Sequence, residues 1–174
     1  MVEAVTFQTV FQFLQTVSIM VGIAYYFIVM NNQQKNQKLT ATYDIFEVVR
    51  SEEHYRTWLE LLWLEWDDVD DFYAKYNDLE WQSKWGTMFQ KYDSLGLLWK
   101  NGLIKLEDVS NIMGAGCLLL WVRYKPVVEM WRSRSYSDQW MHWEQLCEAV
   151  KPLVEDKWGP YVLERYYHIT PPNR

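Results

Sequence analysis

Five acidic side chains near the middle of the chain are the residues most able to hold a metal ion. Carboxylates are the ligands that hard divalent cations prefer, but a calcium loop places its ligands at alternating positions around a glycine. This segment has neither feature, and acidic residues are also favoured in the first turn of a helix. We interpret it as a solvated helix N-terminus and predict no metal and no cofactor. The five are Glu65, Asp67, Asp68, Asp70 and Asp71.

The histidines and cysteines indicate no further site. His142 lies between Trp140 and Trp143, which is typical of a packed or surface histidine, and no group of His, Cys and acidic residues has zinc spacing. Cys117 and Cys147 lie in apolar stretches, which predicts two reduced, buried thiols. The sequence contains no glycine-rich phosphate loop and no nucleophile elbow. We therefore predict no catalytic residue and no enzymatic activity.

Charge and composition favour a compact helical protein over a nucleic-acid binder. The net charge is −6 and basic residues are mixed with acidic ones, whereas nucleic-acid binders usually present a basic face. Seven Gly and five Pro leave little turn material for an all-β fold. The 11 Trp and 12 Tyr predict a core built from large aromatic side chains, since tryptophans at helical spacing are core residues before they are ligand contacts.

The N-terminal segment has the length and composition of a membrane anchor. No charged side chain occurs from Ala4 to Gln34. The apolar part of this segment, from Val5 to Met30, spans about 39 Å as a helix, at about 1.5 Å per residue. A bilayer core of about 30 Å needs about 20 such residues. A cleaved signal peptide would have a basic start, a shorter apolar stretch and small residues where Tyr25 and Tyr26 lie. The sequence predicts a transmembrane anchor within residues 1–35.

The flanks of the anchor predict its orientation. Lys35 and Lys38 follow the span, and no Lys or Arg precedes it. The positive-inside rule then places the N-terminus outside and the helical domain, residues 36–160, in the cytoplasm of a cell with an inner or plasma membrane. Tyr25, Tyr26, Lys35 and Lys38 are the predicted membrane-interface residues, with the lipid bilayer as the first partner.

A polar stripe follows one face of the anchor. At about 100° per residue its five members fall within about 120° of one another, and amides in hydrocarbon commonly bond across helices. The prediction is a homo-oligomer joined through this face. The alternatives are that the outer amides reach the headgroups of a lone helix, or that the stripe lines a pore in a ring of copies. The stripe consists of Gln8, Gln12, Gln15, Ser18 and Gly22.

The remaining periodicities predict an all-α fold in which the transmembrane helix continues into a cytoplasmic helical bundle. Capping residues and Gly or Pro breaks set the helix limits. Gly102 is the expected stop of the central helix. The apolar run from Ile112 to Val122 is too short to span a membrane and predicts a buried core helix. The expected helices are about 4–50, 52–64, 67–76, 79–100, 107–124 with a continuation to 134 beyond Pro126, and 137–150 before Pro152, followed by a tail at 161–174.

The order of these elements resembles a family of small membrane-anchored bacterial and archaeal proteins with a helical domain of unknown function. The resemblance rests on WDDVDDFYAKYND, KYDSLGLLWKNGLI, WVRYKPVVEMWRSR and QWMHWEQL. It covers nearly the whole chain, and these motifs are structural in character. The resemblance implies one membrane helix and a cytoplasmic helical domain, and it implies no activity.

In outline the chain is also similar to the membrane accessory proteins of type VI-B CRISPR loci, which pair an N-terminal membrane helix with a helical domain. Arg50 and His54 occur in RSEEH at a predicted helix junction. Ribonucleases of the HEPN class use an Arg and a His at a wider spacing, so an exposed Arg and a His in a capping turn explain the motif better. The alternatives to a binding or assembly module are a pore-forming, membrane-perturbing effector and a degenerate HEPN-like RNA-binding domain.

Overall fold

The computed structural model describes residues 7–134 and 137–160, without the side chains of residues 41, 42, 45, 46 and 48. Within these ranges the chain forms seven helices and no strand, which confirms the all-α prediction. Residues 1–6 of the predicted anchor (1–35) and the predicted tail at 161–174 lie outside the described residues. The helices are α1 (Phe7–Arg50), α2 (Glu52–Leu62), α3 (Val69–Tyr76), α4 (Leu79–Lys100), α5 (Leu106–Met113), α6 (Gly116–Arg134) and α7 (Met141–Trp158).

The first helix runs without interruption for 44 residues, as the absence of proline and of any glycine but Gly22 predicts. Its segment Phe7–Thr40 is long and apolar enough to cross a membrane. A signal sequence satisfies the same criterion of length and composition. The chain divides into two compact units between Ala41 and Thr42, so the last residues of α1 belong to the second unit.

Three of the helices have an N-cap residue whose side-chain oxygen accepts a hydrogen bond from a backbone N–H of the first turn. The Ser51 hydroxyl accepts a hydrogen bond from the His54 backbone N–H at 3.2 Å, Asp68 Oδ1 accepts one from Asp71 at 2.8 Å, and Asp78 Oδ1 accepts one from Trp81 at 2.9 Å. Each bond satisfies a backbone donor that the first turn of a helix leaves free. The predicted capping role of Ser51 and the predicted start of an acidic helix near Asp68 are confirmed.

The central helix α4 ends at a glycine, as predicted. Gly102 has φ +66°, a left-handed conformation that costs a glycine little. Its N–H donates to the Trp99 carbonyl at 2.8 Å, and the Leu103 N–H donates to the Leu98 carbonyl at 2.9 Å. This pair of bonds is the Schellman motif that closes many helices.

The predicted single helix over 107–124 is wrong, because the chain breaks between α5 and α6. Gly114 has φ +51°, a conformation that favours glycine, and a Cβ on it would lie 2.2 Å from the Trp158 ring, which would have to move. The Trp58 indole N–H donates to the Gly116 carbonyl at 3.2 Å and ties α2 to the break. The run beyond the break is buried core as predicted, with Leu118 and Leu120 inaccessible or nearly so.

Both prolines that the sequence analysis treated as breaks lie inside helices. Pro126 is within α6, whose continuation to residue 134 was predicted. Pro152 is within α7, so the predicted end near Val150 is wrong. Pro152 and Glu148 are both exposed, which lets water satisfy the carbonyl that proline leaves unpaired. Two residues beyond Pro152, Val154 is buried, and that burial favours continuation of the helix.

The last helix begins at Met141 and not at the predicted Ser137. Trp140 adopts φ +56°, which is uncommon for a residue other than glycine. Its ring packs edge-on against Phe89 at 5.2 Å between centroids, so burial of the indole sets the backbone that precedes α7. Asp93 of α4 caps the helix in place of a local residue: its Oδ1 accepts hydrogen bonds from the backbone N–H groups of His142 at 2.9 Å and Trp143 at 3.0 Å.

The core of the second unit forms where α4 crosses α7, with α2, α5 and α6 packed around this pair. Trp143 is fully buried at the centre of this core. The centroid of its ring lies 5.0 Å from the centroid of the Phe89 ring and 5.3 Å from that of Tyr92. Trp85 and Trp121 are also buried, which confirms that the tryptophans are core residues first. At the crossing, Gly96 approaches α7 so closely that a Cβ would lie 2.1 Å from the His142 carbonyl oxygen.

Candidate functional site

The polar stripe of the anchor keeps its predicted face in the continuous helix α1. Gln8, Gln12 and Gln15 are exposed. No hydrogen bond joins their side chains to any residue within 7–134 or 137–160. An unpaired amide costs free energy in hydrocarbon. The stripe therefore has six amide donors and three carbonyl acceptors available to a second molecule.

The two smaller members of the stripe differ in what they can offer. The Ser18 hydroxyl donates to the Leu14 carbonyl of its own helix at 2.8 Å, so its hydrogen is already used. Gly22 has open space where a Cβ would project, and its lack of a side chain permits close approach of another backbone. The polar contacts at this face must therefore come mainly from the glutamines.

A groove of about 570 Å³ lies in the second unit. Val49 near the end of α1, His54 of α2 and Met113 of α5 contribute to its walls, and one face of α4 from Gly86 to Leu98 forms the longest side. The wall is almost entirely apolar. Ligand sites usually measure about 300–1,000 Å³ and combine apolar walls with a few polar groups.

A second cavity of about 430 Å³ adjoins the groove and shares four lining residues with it, among them His54 and Tyr92. Besides His54, five residues of α2 and its C-terminal end line this cavity, and only Leu62 of the five is buried. Leu61 of α2 is also buried, in the core. The five are Tyr55, Trp58, Leu59, Leu62 and Trp63.

His54 is the buried polar residue between the two cavities. Only 5% of it is exposed, its Nδ1 has no hydrogen-bond partner among the described residues, and its ring meets Tyr92 edge-on at 6.2 Å. Burial, helped by the positive charge of Lys91, lowers the pKa of His54 from 6.5 to about 4. The imidazole is therefore uncharged at neutral pH.

The sequence predicts that His54 lies in a capping turn, and only its backbone N–H has that role. The residue stands four positions before Trp58 and seven before Leu61. This helical spacing is a signal that could have placed the imidazole on the inner face. Arg50 is exposed at the end of α1. An uncharged, buried histidine does not supply a proton at neutral pH, which weakens the comparison with Arg-His ribonucleases.

The other candidate residues serve local structure. Asp71 accepts hydrogen bonds from Lys75 at 2.6 Å and from the Asp67 N–H at 3.1 Å, and the bond from Lys75 is the main cause that lowers the pKa of the Asp71 carboxyl. Across residues 7–134 and 137–160, no three His, Cys, Asp or Glu side chains are grouped as metal ligands would be. The acidic segment thus acts at a helix start, as interpreted from the sequence.

The cysteines and His142 are held inside the fold. Cys117 and Cys147 are buried free thiols, as predicted, and the Cys147 thiol lies 3.6 Å from the Cys117 carbonyl oxygen. Burial raises the pKa of the Cys147 thiol well above its usual value, which makes it a poor nucleophile. His142 Nδ1 lies 3.5 Å from Asp93 Oδ2, so its partner is a capping carboxylate.

No protein-family model, no curated protein and no solved structure matches this chain. The resemblance to small membrane-anchored proteins with a helical domain of unknown function therefore stays a prediction, as does the similarity in outline to the membrane proteins of type VI-B CRISPR loci. Two features of the chain point to a function: the glutamine stripe of α1 and the groove beside His54.

Proposed function

We propose that this chain is a single-pass membrane protein that self-associates through its N-terminal helix and carries a cytoplasmic helical domain for binding or assembly. The stripe of Gln8, Gln12, Gln15, Ser18 and Gly22 is the contact between copies. Orientation follows from Lys35 and Lys38, which come after the span and place the helical domain on the cytoplasmic side.

The observation that carries this proposal is the set of three unpartnered amides on one face of an exposed apolar helix. The face extends over about 21 Å from Gln8 to Gly22, at about 1.5 Å per residue. Gln15 lies near the middle of the apolar segment, where no water replaces a missing partner. Interhelical hydrogen bonds of this kind contribute about 0.6–2 kcal/mol each, so three of them in each copy suffice to favour an oligomer.

Replacing Gln8, Gln12 and Gln15 together by Leu tests the contact. Leucine preserves helix propensity and apolar character, so the helix should still insert, while the interhelical hydrogen bonds are lost. We expect the wild-type protein to be an oligomer and the triple variant a monomer when the mass in mild detergent is measured by light scattering after gel filtration.

The matched control replaces Phe13, Val17 and Met20 by Leu on the opposite face of the same helix. We expect this control to keep the wild-type mass, because these residues lie outside the stripe. A triple glutamine variant with the wild-type mass would overturn the proposed contact. If liposomes that contain the protein leak ions, and the leakage requires the three glutamines, the oligomer forms a pore.

The proposed orientation is tested by the labelling of single cysteines in intact cells. Cys117 and Cys147 are at most 2% exposed, so both should stay unlabelled and the natural sequence serves as background. A membrane-impermeant maleimide should label Val2→Cys in intact cells and Lys38→Cys only after permeabilisation. The reverse pattern would place the helical domain outside.

A further inference from the structure

We propose that the groove beside Gly86 and His54 binds an uncharged, elongated apolar molecule with one hydroxyl or carbonyl group, which forms a hydrogen bond with the His54 imidazole. This inference deepens the binding role proposed for the helical domain, and it is independent of self-association through α1. It rests on an unpartnered buried imidazole, a glycine that packing does not explain, and the shape and polarity of the groove.

The Nδ1 atom of His54 is a buried polar atom without a hydrogen-bond partner among the described residues. Buried polar side chains in folded proteins almost always have a partner, and an exception calls for an explanation. Nδ1 of His54 has none among the described residues, although 95% of the residue is withdrawn from solvent. A neutral imidazole offers one donor and one acceptor. Either a hydroxyl or a carbonyl group of a ligand satisfies one of them.

Gly86 is the second observation, because its position in the middle of α4 is unfavourable for glycine. A glycine in a helix interior costs about 1 kcal/mol relative to alanine. None of the described side chains makes it necessary, since a Cβ there would meet no described atom within 4 Å. By contrast, Gly96 of the same helix is required by the close approach of His142. Gly86 lines the groove, and its missing side chain leaves room for an occupant.

The walls of the groove determine the class of ligand. They are almost entirely apolar, with Leu95, Leu98 and Met113 among them, and the adjoining cavity extends the same surface. Asp44 and Lys91 also border the groove and provide one charge of each sign, so neither an anion nor a cation has a net electrostatic advantage. An uncharged apolar chain with one polar group fits this wall.

The test uses full-length protein in lipid nanodiscs, labelled with ¹⁵N in its three histidines, with 1-octanol as the probe. Octanol should give a saturable shift of the His54 imidazole signals and leave the His142 signals in place, since His142 does not line the groove. Octane, which has no hydroxyl, and octanoate, which is charged, should give no such shift. Absence of the octanol shift, or an equal shift with octane or octanoate, would overturn the proposal.

Substitutions at Gly86 locate the probe. Gly86→Phe and Gly86→Leu fill the groove, and both should abolish the octanol shift, whereas the single methyl group of Gly86→Ala should only weaken it. A shift that persists in both filled variants would show that octanol does not occupy the groove. The mass of the oligomer should be the same in all three variants. A monomeric wild-type protein that still shows the shift would overturn self-association and leave the ligand site standing.

Discussion

Replacing Gly96 by Ala is expected to destabilise the protein by about 3 kcal/mol, since overpacking a tight contact costs about that much. A Cβ at this position would lie 2.1 Å from the His142 carbonyl oxygen and 2.4 Å from its carbonyl carbon. Both are backbone atoms, so rotation of a side chain cannot relieve the overlap. The helices α4 and α7 must separate instead, which loosens the packing around Trp143. The free energy of unfolding in urea measures the effect.

Gly86→Ala is the matched control for this prediction, because the same substitution is made in the same helix. No atom of the described residues lies within 4 Å of the new Cβ, and alanine favours a helix interior over glycine by about 1 kcal/mol. This variant should therefore be more stable than the natural sequence by about 0.5–1 kcal/mol. Equal effects of the two substitutions would contradict the close crossing of α4 and α7.

The second large effect is a loss of stability below pH 6.5 that arises from His54. Its pKa is about 4 in the folded protein, and its ordinary value, which applies in the unfolded chain, is 6.5. Between these values the unfolded chain binds a proton that the folded chain does not, so the free energy of unfolding falls as the pH falls. This difference in pKa corresponds to about 3 kcal/mol of unfolding free energy. The protein loses this stability progressively between about pH 6.5 and pH 4, at about 1.4 kcal/mol per pH unit.

His54→Phe isolates this contribution, because it keeps a ring against Tyr92 and removes the titration. The difference in unfolding free energy between the natural protein and this variant should change by about 3 kcal/mol across that pH range. Carboxylates titrate in both proteins and so cancel. Lys91 and Asp44 border the same groove, and they too are present in both. A constant difference from pH 7 to pH 4 would show that the imidazole protonates without restraint in the folded state.

Local chemistry explains which features of the fold could be predicted from the sequence. The continuous first helix, the capping Ser51 and the glycine stop at Gly102 depend on neighbours within a few residues, and all three are confirmed. The break at Gly114 and the start of α7 depend on Trp158 and Asp93, which are far away in sequence. The tripeptide Gly-Ala-Gly at residues 114–116 was the one local signal that could have indicated the break.

The groove was less accessible to sequence reasoning than the stripe. The stripe is a periodicity on one helix, and spacing alone defines it. The groove combines residues from α1, α2, α4 and α5, and its defining features are space beside Gly86 and a missing partner for His54. Neither the space nor the missing partner can be predicted from a pattern of residue types, because a buried histidine and a helical glycine are each compatible with ordinary packing.

The association of copies within a bilayer tests the central proposal most directly. Full-length protein with donor and acceptor dyes on separate populations is reconstituted in liposomes and diluted with lipid at constant donor-to-acceptor ratio. Self-association through Gln8, Gln12 and Gln15 predicts energy transfer that persists on dilution well beyond the level of random proximity and disappears in the triple Leu variant. Energy transfer at the random level in the wild-type protein would contradict it.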